Sequence, residues 1–263
     1  MESKIPKTVI FITGAFASHR TWDKWISYYE ERGYNCIAPA WPNKNASSQI
    51  LKSKHPDNNI ADTKLSNVLK HYTEIISQQP MKPIVIGHSL GGLIVQLLLQ
   101  QNLVIAGVAL HPIPPKGIFS LNPTCLLSSL KRIGLFSSSN EPHLINFKEW
   151  QSLFTNGTPY EEQKYSHGKD VVPQSKRVLK DRFSQTAKIN FTTPHEPLLI
   201  VSGTTDRITL PSINYKNYTK YDKKNSSVID YKEFQNKNHF SYGLSSWKEE
   251  ADYILDWLEI IDC

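Results

Sequence analysis

The run Pro83-Ile84-Val85-Ile86-Gly87-His88-Ser89-Leu90-Gly91-Gly92 restricts the fold more than any other stretch of the chain. Its first part is short, β-branched and bounded by proline, the pattern of a buried strand. From Leu90 to Gln101 the apolar residues Leu93, Ile94, Leu97 and Leu98 recur on one helical face. Strand and helix are thus joined by one sharp turn with Ser89 at its apex. Such a turn strains the backbone and needs small neighbours, which Gly87 and Gly91 supply, while Gly92 lets the helix pack closely on the sheet.

The same alternation runs through the rest of the chain. Lys7 to Thr13, Tyr34 to Ala38, Ile105 to Leu110, Pro197 to Ser202 and Ser227 to Phe234 read as strands. Helices are expected from about Trp22 to Arg32, Asp62 to Gln78 and Ser246 to Ile261, with a polar loop over Asn43 to Asn59. Six strands separated by helices predict an α/β fold, a doubly wound and mostly parallel sheet whose ligand site lies above the carboxyl ends. His111 to about Lys188 breaks the rhythm with Pro112, Pro114 and Pro115 and with short helix-like pieces around Leu126 to Ile133 and Phe147 to Phe154. This stretch is predicted to be a mainly helical cap, 111–188, inserted into a single domain whose core is 1–110 and 189–263. Phe119, Leu121, Leu127, Leu130, Phe136 and Trp150 are its candidates for cap packing or for the pocket.

The net charge of +6 does not gather into a stripe, because the lysines near the C-terminus are interleaved with Asp222, Asp230 and Glu233. A solvated basic surface is expected, with no nucleic-acid partner. Lys131, Arg132, Lys176, Arg177 and Arg182 of the cap read the same way. The apolar run Leu93 to Leu99 is too short for a membrane span, and the charged start Met1-Glu2-Ser3-Lys4 is unlike a signal peptide. Cys36, Cys125 and Cys263 are widely spaced, odd in number and without metal-type spacing. A cytoplasmic protein with no membrane partner, no cofactor and no metal is the expectation, Cys36 being an inert thiol within a strand.

A serine hydroxyl is a poor nucleophile until a base takes its proton, and that base needs an acid to orient it. After an elbow of this kind the chain order is serine, acid, histidine, the last two in loops beyond later strands. Asp206, in Ser202-Gly203-Thr204-Thr205-Asp206 just past a strand, and His239, past the last strand, satisfy that order. The rival acids Asp222 and Asp230 fall in a lysine-rich loop and in the last strand itself. Two backbone donors are needed for an oxyanion: Leu90, directly after the serine, and one from Thr13-Gly14-Ala15-Phe16, where Ala15 is preferred and Phe16 is next. His111, Phe16 and Phe240 are candidate substrate contacts, and His88, inside the elbow, is read as structural.

With Gly87-His88-Ser89-Leu90-Gly91-Gly92, Gly14-Ala15, Asp206 and His239 in place, the chain resembles the α/β-hydrolase superfamily over nearly its whole length. The Gly14-Ala15 loop, the absence of a strand pair before Lys7 and the single cap are similar to the small plant methyl esterases and hydroxynitrile lyases. The resemblance implies a cofactor-independent serine hydrolase acting on a small-molecule carboxylic ester through an acyl-enzyme, with Ser89 as nucleophile, His239 as base and Asp206 as its orienting acid. Epoxide hydrolases and haloalkane dehalogenases of that superfamily use an aspartate where this chain has Ser89. Hydroxynitrile lyases carry Thr at the place of Gly14 and Lys at that of Phe240, which favours hydrolysis. Many relatives open the oxyanion loop with His-Gly, where this chain has Thr13-Gly14. The same triad also serves thioester, lactone and carbon–carbon hydrolysis and acyl transfer, and a ligand-binding protein on a hydrolase scaffold stays open.

Overall fold

Six apolar segments pair side by side into one sheet with the order β2-β1-β3-β4-β5-β6, every neighbouring pair parallel. The strands are β1 (Thr8–Ile12), β2 (Asn35–Ile37), β3 (Ile84–His88), β4 (Ala106–Leu110), β5 (Leu198–Gly203) and β6 (Ile229–Phe234). The computed structural model describes residues 7–119, 139–222, 224 and 226–261. β1, β3, β4 and β5 are buried along their whole length, as strands covered on both faces must be, whereas β6 is a half-exposed edge. β3 runs on through Gly87 and His88, so the strand ends at the residue before Ser89.

The strand order places the site. After β1 the chain turns to one side to form β2, and β3 and its successors lie on the other side. The carboxyl ends of β1 and β3 therefore flank a switch point, where open α/β sheets leave a crevice for a ligand. Ile12 of β1 stands opposite Gly87 of β3, which brings the loop after β1 beside the turn after β3.

Helices cover the sheet: α1 (Asp23–Glu30), α2 (Ser48–Ser53), α3 (Asn58–Asp62), α4 (Leu65–Ser77), α5 (Leu90–Gln100), α6 (Tyr160–Asp170), α7 (Lys176–Asp181), α8 (Pro211–Lys220) and α9 (Lys248–Ile260). Trp22, Trp25 and Tyr29 gather around Phe11 of β1 with ring centroids 4.9, 6.2 and 5.5 Å from it. α5 is buried from Leu90 to Leu99 and sits so close to the sheet that a Cβ on Gly91 would lie 2.3 Å from the carbonyl oxygen of Ile12. Only glycine permits that approach.

Two expectations are corrected. The polar stretch Asn43 to Asn59 is not all loop: it contains α2 and the start of α3, whose N-termini are capped by the side chains of Ser47 and Asp57. Their apolar anchors, Leu51 and Ile60, pack on Val172. Between β5 and β6, α8, unassigned from the sequence alone, docks through amides: Asn217 Nδ2 donates to Gln96 Oε1 of α5 at 2.9 Å and Asn214 Nδ2 to Ser202 Oγ at 3.2 Å. Lys176 and Arg182, read as solvated, are buried, and burial pushes the Arg182 guanidinium down to about 10.

Between β4 and β5 the chain forms a helical turn Phe147–Glu149, a π-helical turn Trp150–Phe154, α6 and α7. This segment packs on the loops beyond β1 and β6: Val172 N–H donates to Phe16 O and Phe240 N–H to Phe154 O. Trp150 is fully buried and Phe119 is exposed. Leu121, Leu127, Leu130, Phe136, Lys131, Arg132, Cys125, Cys263 and the helix-like piece Leu126 to Ile133 lie outside the described residues. Cys36 is buried on β2, and burial pushes its thiol up to about 12. Among the described residues no helix is long and apolar enough to cross a membrane.

Gly91→Ala is expected to lower stability by about 2 kcal/mol or more, because the added methyl meets backbone that cannot swing aside. Urea unfolding of the variant beside the parent protein, followed by tryptophan fluorescence, measures it; an unchanged midpoint would mean that the helix and β1 are not held at this distance.

Candidate active site

Ser89 occupies the turn between β3 and α5 at φ 55° and ψ −113°, a left-handed conformation that non-glycine residues seldom adopt. The strain is held by the frame around it. Ser89 N–H donates to Leu110 O of β4 at 2.8 Å, and its own carbonyl accepts from Leu93 and Ile113. The hydroxyl is 2.9 Å from His239 Nε2, and His239 Nδ1 is 2.8 Å from Asp206 Oδ2. All three side chains are buried, Ser89 at 4% exposure and His239 at none. The structure thus brings together the serine, the histidine and the acid singled out from the sequence.

Asp206 is held from several sides. Its Oδ1 accepts the N–H groups of Ile208 and Thr209 at 2.7 and 2.9 Å, and its Oδ2 accepts the Thr209 hydroxyl at 2.8 Å as well as His239. Burial works against its charge, but His239 and His111 beside it outweigh burial and hold the carboxyl well below the usual carboxylate range. An ionised Asp206 accepts and does not donate, so His239 carries its proton on Nδ1 and turns the Nε2 lone pair to Ser89.

His111 was a candidate substrate contact; its ring is instead enclosed behind the acid. Its Nδ1 lies 3.5 Å from Asp206 Oδ2 and its Nε2 2.7 Å from Glu250 Oε1 of α9. Burial opposes a charge on this ring, yet Glu250 and Asp206 on its two sides prevail and raise it to about 9. Phe240 is also fully enclosed, with Trp150 4.5 Å and Tyr242 5.1 Å from its ring centroid. His88 Nε2–H donates to the His239 carbonyl, 2.7 Å away, and the ring stacks on Tyr242 at 4.1 Å. Burial, then the neighbouring His239 and His111, push it well below the ordinary histidine range, leaving a neutral ring that props the loop of His239.

The loop after β1 closes over the serine. A Cβ on Gly14 would stand 2.7 Å from Ser89 Cβ, so no side chain fits there. Thr13 takes the place of the histidine common in this loop: its carbonyl accepts Trp41 Nε1–H at 3.1 Å, and its hydroxyl lies 3.3 Å from Tyr242 Oη. Leu90 is the first residue of α5, where an N–H has no partner one turn back. The Phe16 N–H is directed at Gln174 Oε1, 3.4 Å away, which favours Ala15 over Phe16 as the second donor. The Phe16 ring packs edge-on against Phe154, which in turn lies 5.4 Å from the His239 ring.

Gln174 and Lys44 were not found from the sequence. Gln174 Oε1 also accepts the Lys44 ammonium, whose side chain is buried and has no carboxylate beside it among the described residues. Burial pushes Lys44 down to about 7. Nothing in Pro42-Asn43-Lys44-Asn45, a polar run, signals an enclosed lysine. Among the described residues no group of three His, Cys, Asp or Glu side chains is placed to hold a metal ion.

The fold and the serine turn together describe a hydrolase-type α/β protein, and comparison with protein families agrees: the model described as "Alpha/beta hydrolase family" matches residues 9–250. The chain belongs to that family. A search of curated protein sequences returned no match. Among solved structures, a pyrethroid hydrolase from Sphingobium faniae JZ-2 is similar at 15% identity and TM-score 0.70, with 97% of this chain and 98% of that chain covered. A monoacylglycerol lipase from Paleococcus ferrophilus aligns at 20% identity and TM-score 0.67 over 97% of this chain and 96% of its own. A tomato methylketone synthase I variant complexed with beta-ketoheptanoate aligns at 13% identity and TM-score 0.69, covering 99% of this chain and 100% of that one. At these identities the likeness is one of fold.

Lys44 yields a stability test. Its pKa is lower in the folded than in the unfolded chain, so burying it is penalised fully below pH 7 and not at all above the unfolded value near 10.5. Lys44→Met is therefore expected to be more stable than the parent by an amount on the order of a few kcal/mol near pH 6, with the gap closing towards pH 10. Urea denaturation at the two pH values measures it, and a gap that is equal at both would contradict a charge-burial origin.

Proposed function

We propose that this protein is a serine hydrolase that cleaves a small carboxylic ester through an acyl-enzyme on Ser89. The observation that carries the reading is the unbroken path from Ser89 Oγ through His239 to Asp206, at 2.9 and 2.8 Å, assembled at the switch point of the sheet. As Ser89 Oγ bonds to the ester carbonyl carbon, its proton passes to His239 Nε2. The carbonyl oxygen takes up negative charge, and the N–H groups of Leu90 and Ala15 are the donors assigned to it, the former at the positive end of α5. When the tetrahedral adduct collapses, the alcohol leaves with the proton from His239. Water then attacks the acyl carbon, its proton going to His239, and the acid departs as the proton returns to Ser89. Asp206 stays ionised throughout and keeps the imidazole in the one tautomer and orientation that both steps use.

An ester is the substrate class that agrees with the named neighbours, which include a methylesterase from Arabidopsis beside the lipase and the pyrethroid hydrolase. The Phe154 ring, 5.4 Å from the His239 ring, puts an apolar side chain beside the histidine.

Purified protein is expected to hydrolyse p-nitrophenyl esters at neutral pH, and the acyl chain length that turns over fastest sizes the pocket. Ser89→Ala should reduce kcat by about 10⁵-fold or more and Asp206→Asn by about 10⁴-fold, without loss of fold by circular dichroism. A fluorophosphonate probe should label the parent protein and not the Ser89 variant. Folded parent protein that neither turns over the ester series nor takes the label would overturn the reading and leave a binding role for the scaffold.

A further inference from the structure

Behind the acid, on the side away from Ser89, three buried polar side chains, His111, Ser241 and Glu250, form a second array that ester cleavage as described above does not use. His111 follows β4 at φ 47°; its Nε2 is hydrogen-bonded with Glu250 Oε1 at 2.7 Å, and its Nδ1 lies at ion-pair distance, 3.5 Å, from Asp206 Oδ2. Ser241, two residues after His239, donates its hydroxyl to Glu250 at 2.9 Å and lies 3.1 Å from His111 Nε2. His111, Asp206 and Glu250 are entirely enclosed. A lone buried carboxylate so far from solvent would be strongly penalised, and Glu250 has no reason to be inside unless a positive partner is there. That partner is His111, with carboxylates facing both nitrogens.

We infer that His111 and Glu250 are positioning residues that hold a permanent positive ring 6.2 Å from the His239 ring, so that His239 stays unprotonated to lower pH than Asp206 alone would allow. The inference rests on the proposed role of His239. Its physical content is simple. A carboxylate beside an imidazole stabilises the imidazolium and so disfavours the neutral base that must accept the serine proton. A second cation against the same carboxylate oxygen offsets that effect, and Glu250 keeps the cation charged. His111 retains both protons through the cycle; only His239 gains and loses one. The raised proton affinity of His111 agrees with this arrangement.

The other groups around the array do not supply the charge. His88 of β3, 4.9 Å from His239 by ring centroids, is kept neutral by burial. Thr209, from the turn beyond β5, and Ser241 and Tyr242, beyond β6, are uncharged, as is Thr13 from the loop after β1, which meets Tyr242. Burial raises the Tyr242 hydroxyl above the ordinary phenol range.

Two variants of the full chain test it: Glu250→Gln, which removes only the charge, and the double change His111→Phe with Glu250→Met, which replaces the buried pair by apolar volume that a core accepts. The acid limb of kcat/KM against pH is expected to move up by about one pH unit in both, in Glu250→Gln because His111 without its carboxylate partner gives up its proton, since loss of one positive charge at this distance shifts a neighbouring pKa by about that much. NMR titration of the His239 ring in the resting protein should move by the same amount. That readout does not depend on ester turnover, so it separates failure of this inference from failure of the Ser89 reading. An acid limb and a His239 titration that stay in place, with kcat/KM lowered equally at every pH, would mean that the pair is only structural. A downward shift would also overturn the inference.

Discussion

The distance between α5 and β1 governs the rest of the molecule. Where Gly91 meets the carbonyl of Ile12 there is no room for a methyl group, and that contact sets Ser89 directly beneath the loop that begins at Thr13. The loop can come down on the serine only because Gly14 also lacks a side chain. From these two close approaches follow the left-handed backbone at Ser89, the exposure of the first N–H of α5 towards the same point, and the narrow space between serine and loop. A parallel sheet supplies the directions, since both strands end on the same side. The helix supplies the pressure.

A second constraint is electrical. The site keeps Asp206, His239, His111 and Glu250 away from water, and such groups are tolerable only when each is matched. Here the matching is nearly complete: Asp206 accepts two backbone N–H groups, one hydroxyl and His239, while Glu250 accepts Ser241 and meets His111. Less well matched are Lys44, an ammonium with an amide oxygen for company, and Arg182, whose Nε has no hydrogen-bond partner among the described residues. Polar groups so arranged fix relative positions more sharply than apolar packing does, at a cost in stability that the aromatic cluster around Phe11 and the buried central strands offset.

Much of this was legible in the residues themselves, and for physical reasons. Strands buried on both faces must be apolar throughout, so β1, β3, β4 and β5 stand out as runs of Val, Ile and Leu. A serine turn with glycines at fixed offsets is recognisable because sterics leave no alternative. Asp206 and His239 could be chosen because a parallel sheet delivers its loops to one edge. What stayed hidden is burial decided by contacts between distant segments. Glu250 sits in the first turn of α9 in Lys248-Glu249-Glu250, where an acid usually faces water. Lys176 and Arg182 carry charges that elsewhere mark a surface. α8 has no apolar stripe to reveal it, because asparagine amides dock it to Gln96 and Ser202.

The partners of the site are far apart along the chain: 150 positions separate Ser89 from His239, and 139 separate His111 from Glu250. During synthesis from the N-terminus, β1, β3 and the serine turn can be complete while the base does not yet exist. When His239 has emerged, Glu250 and α9 still follow it. On the proposed reading, a nascent chain carries Ser89 before the histidine that would activate it, and the buried array around Asp206 is complete only with the last helix. Contacts of such long sequence separation also place this step late in folding. On that reading the hydroxyl is built early and its base arrives late, so an unfinished copy lacks the hydrolytic chemistry proposed for the finished one.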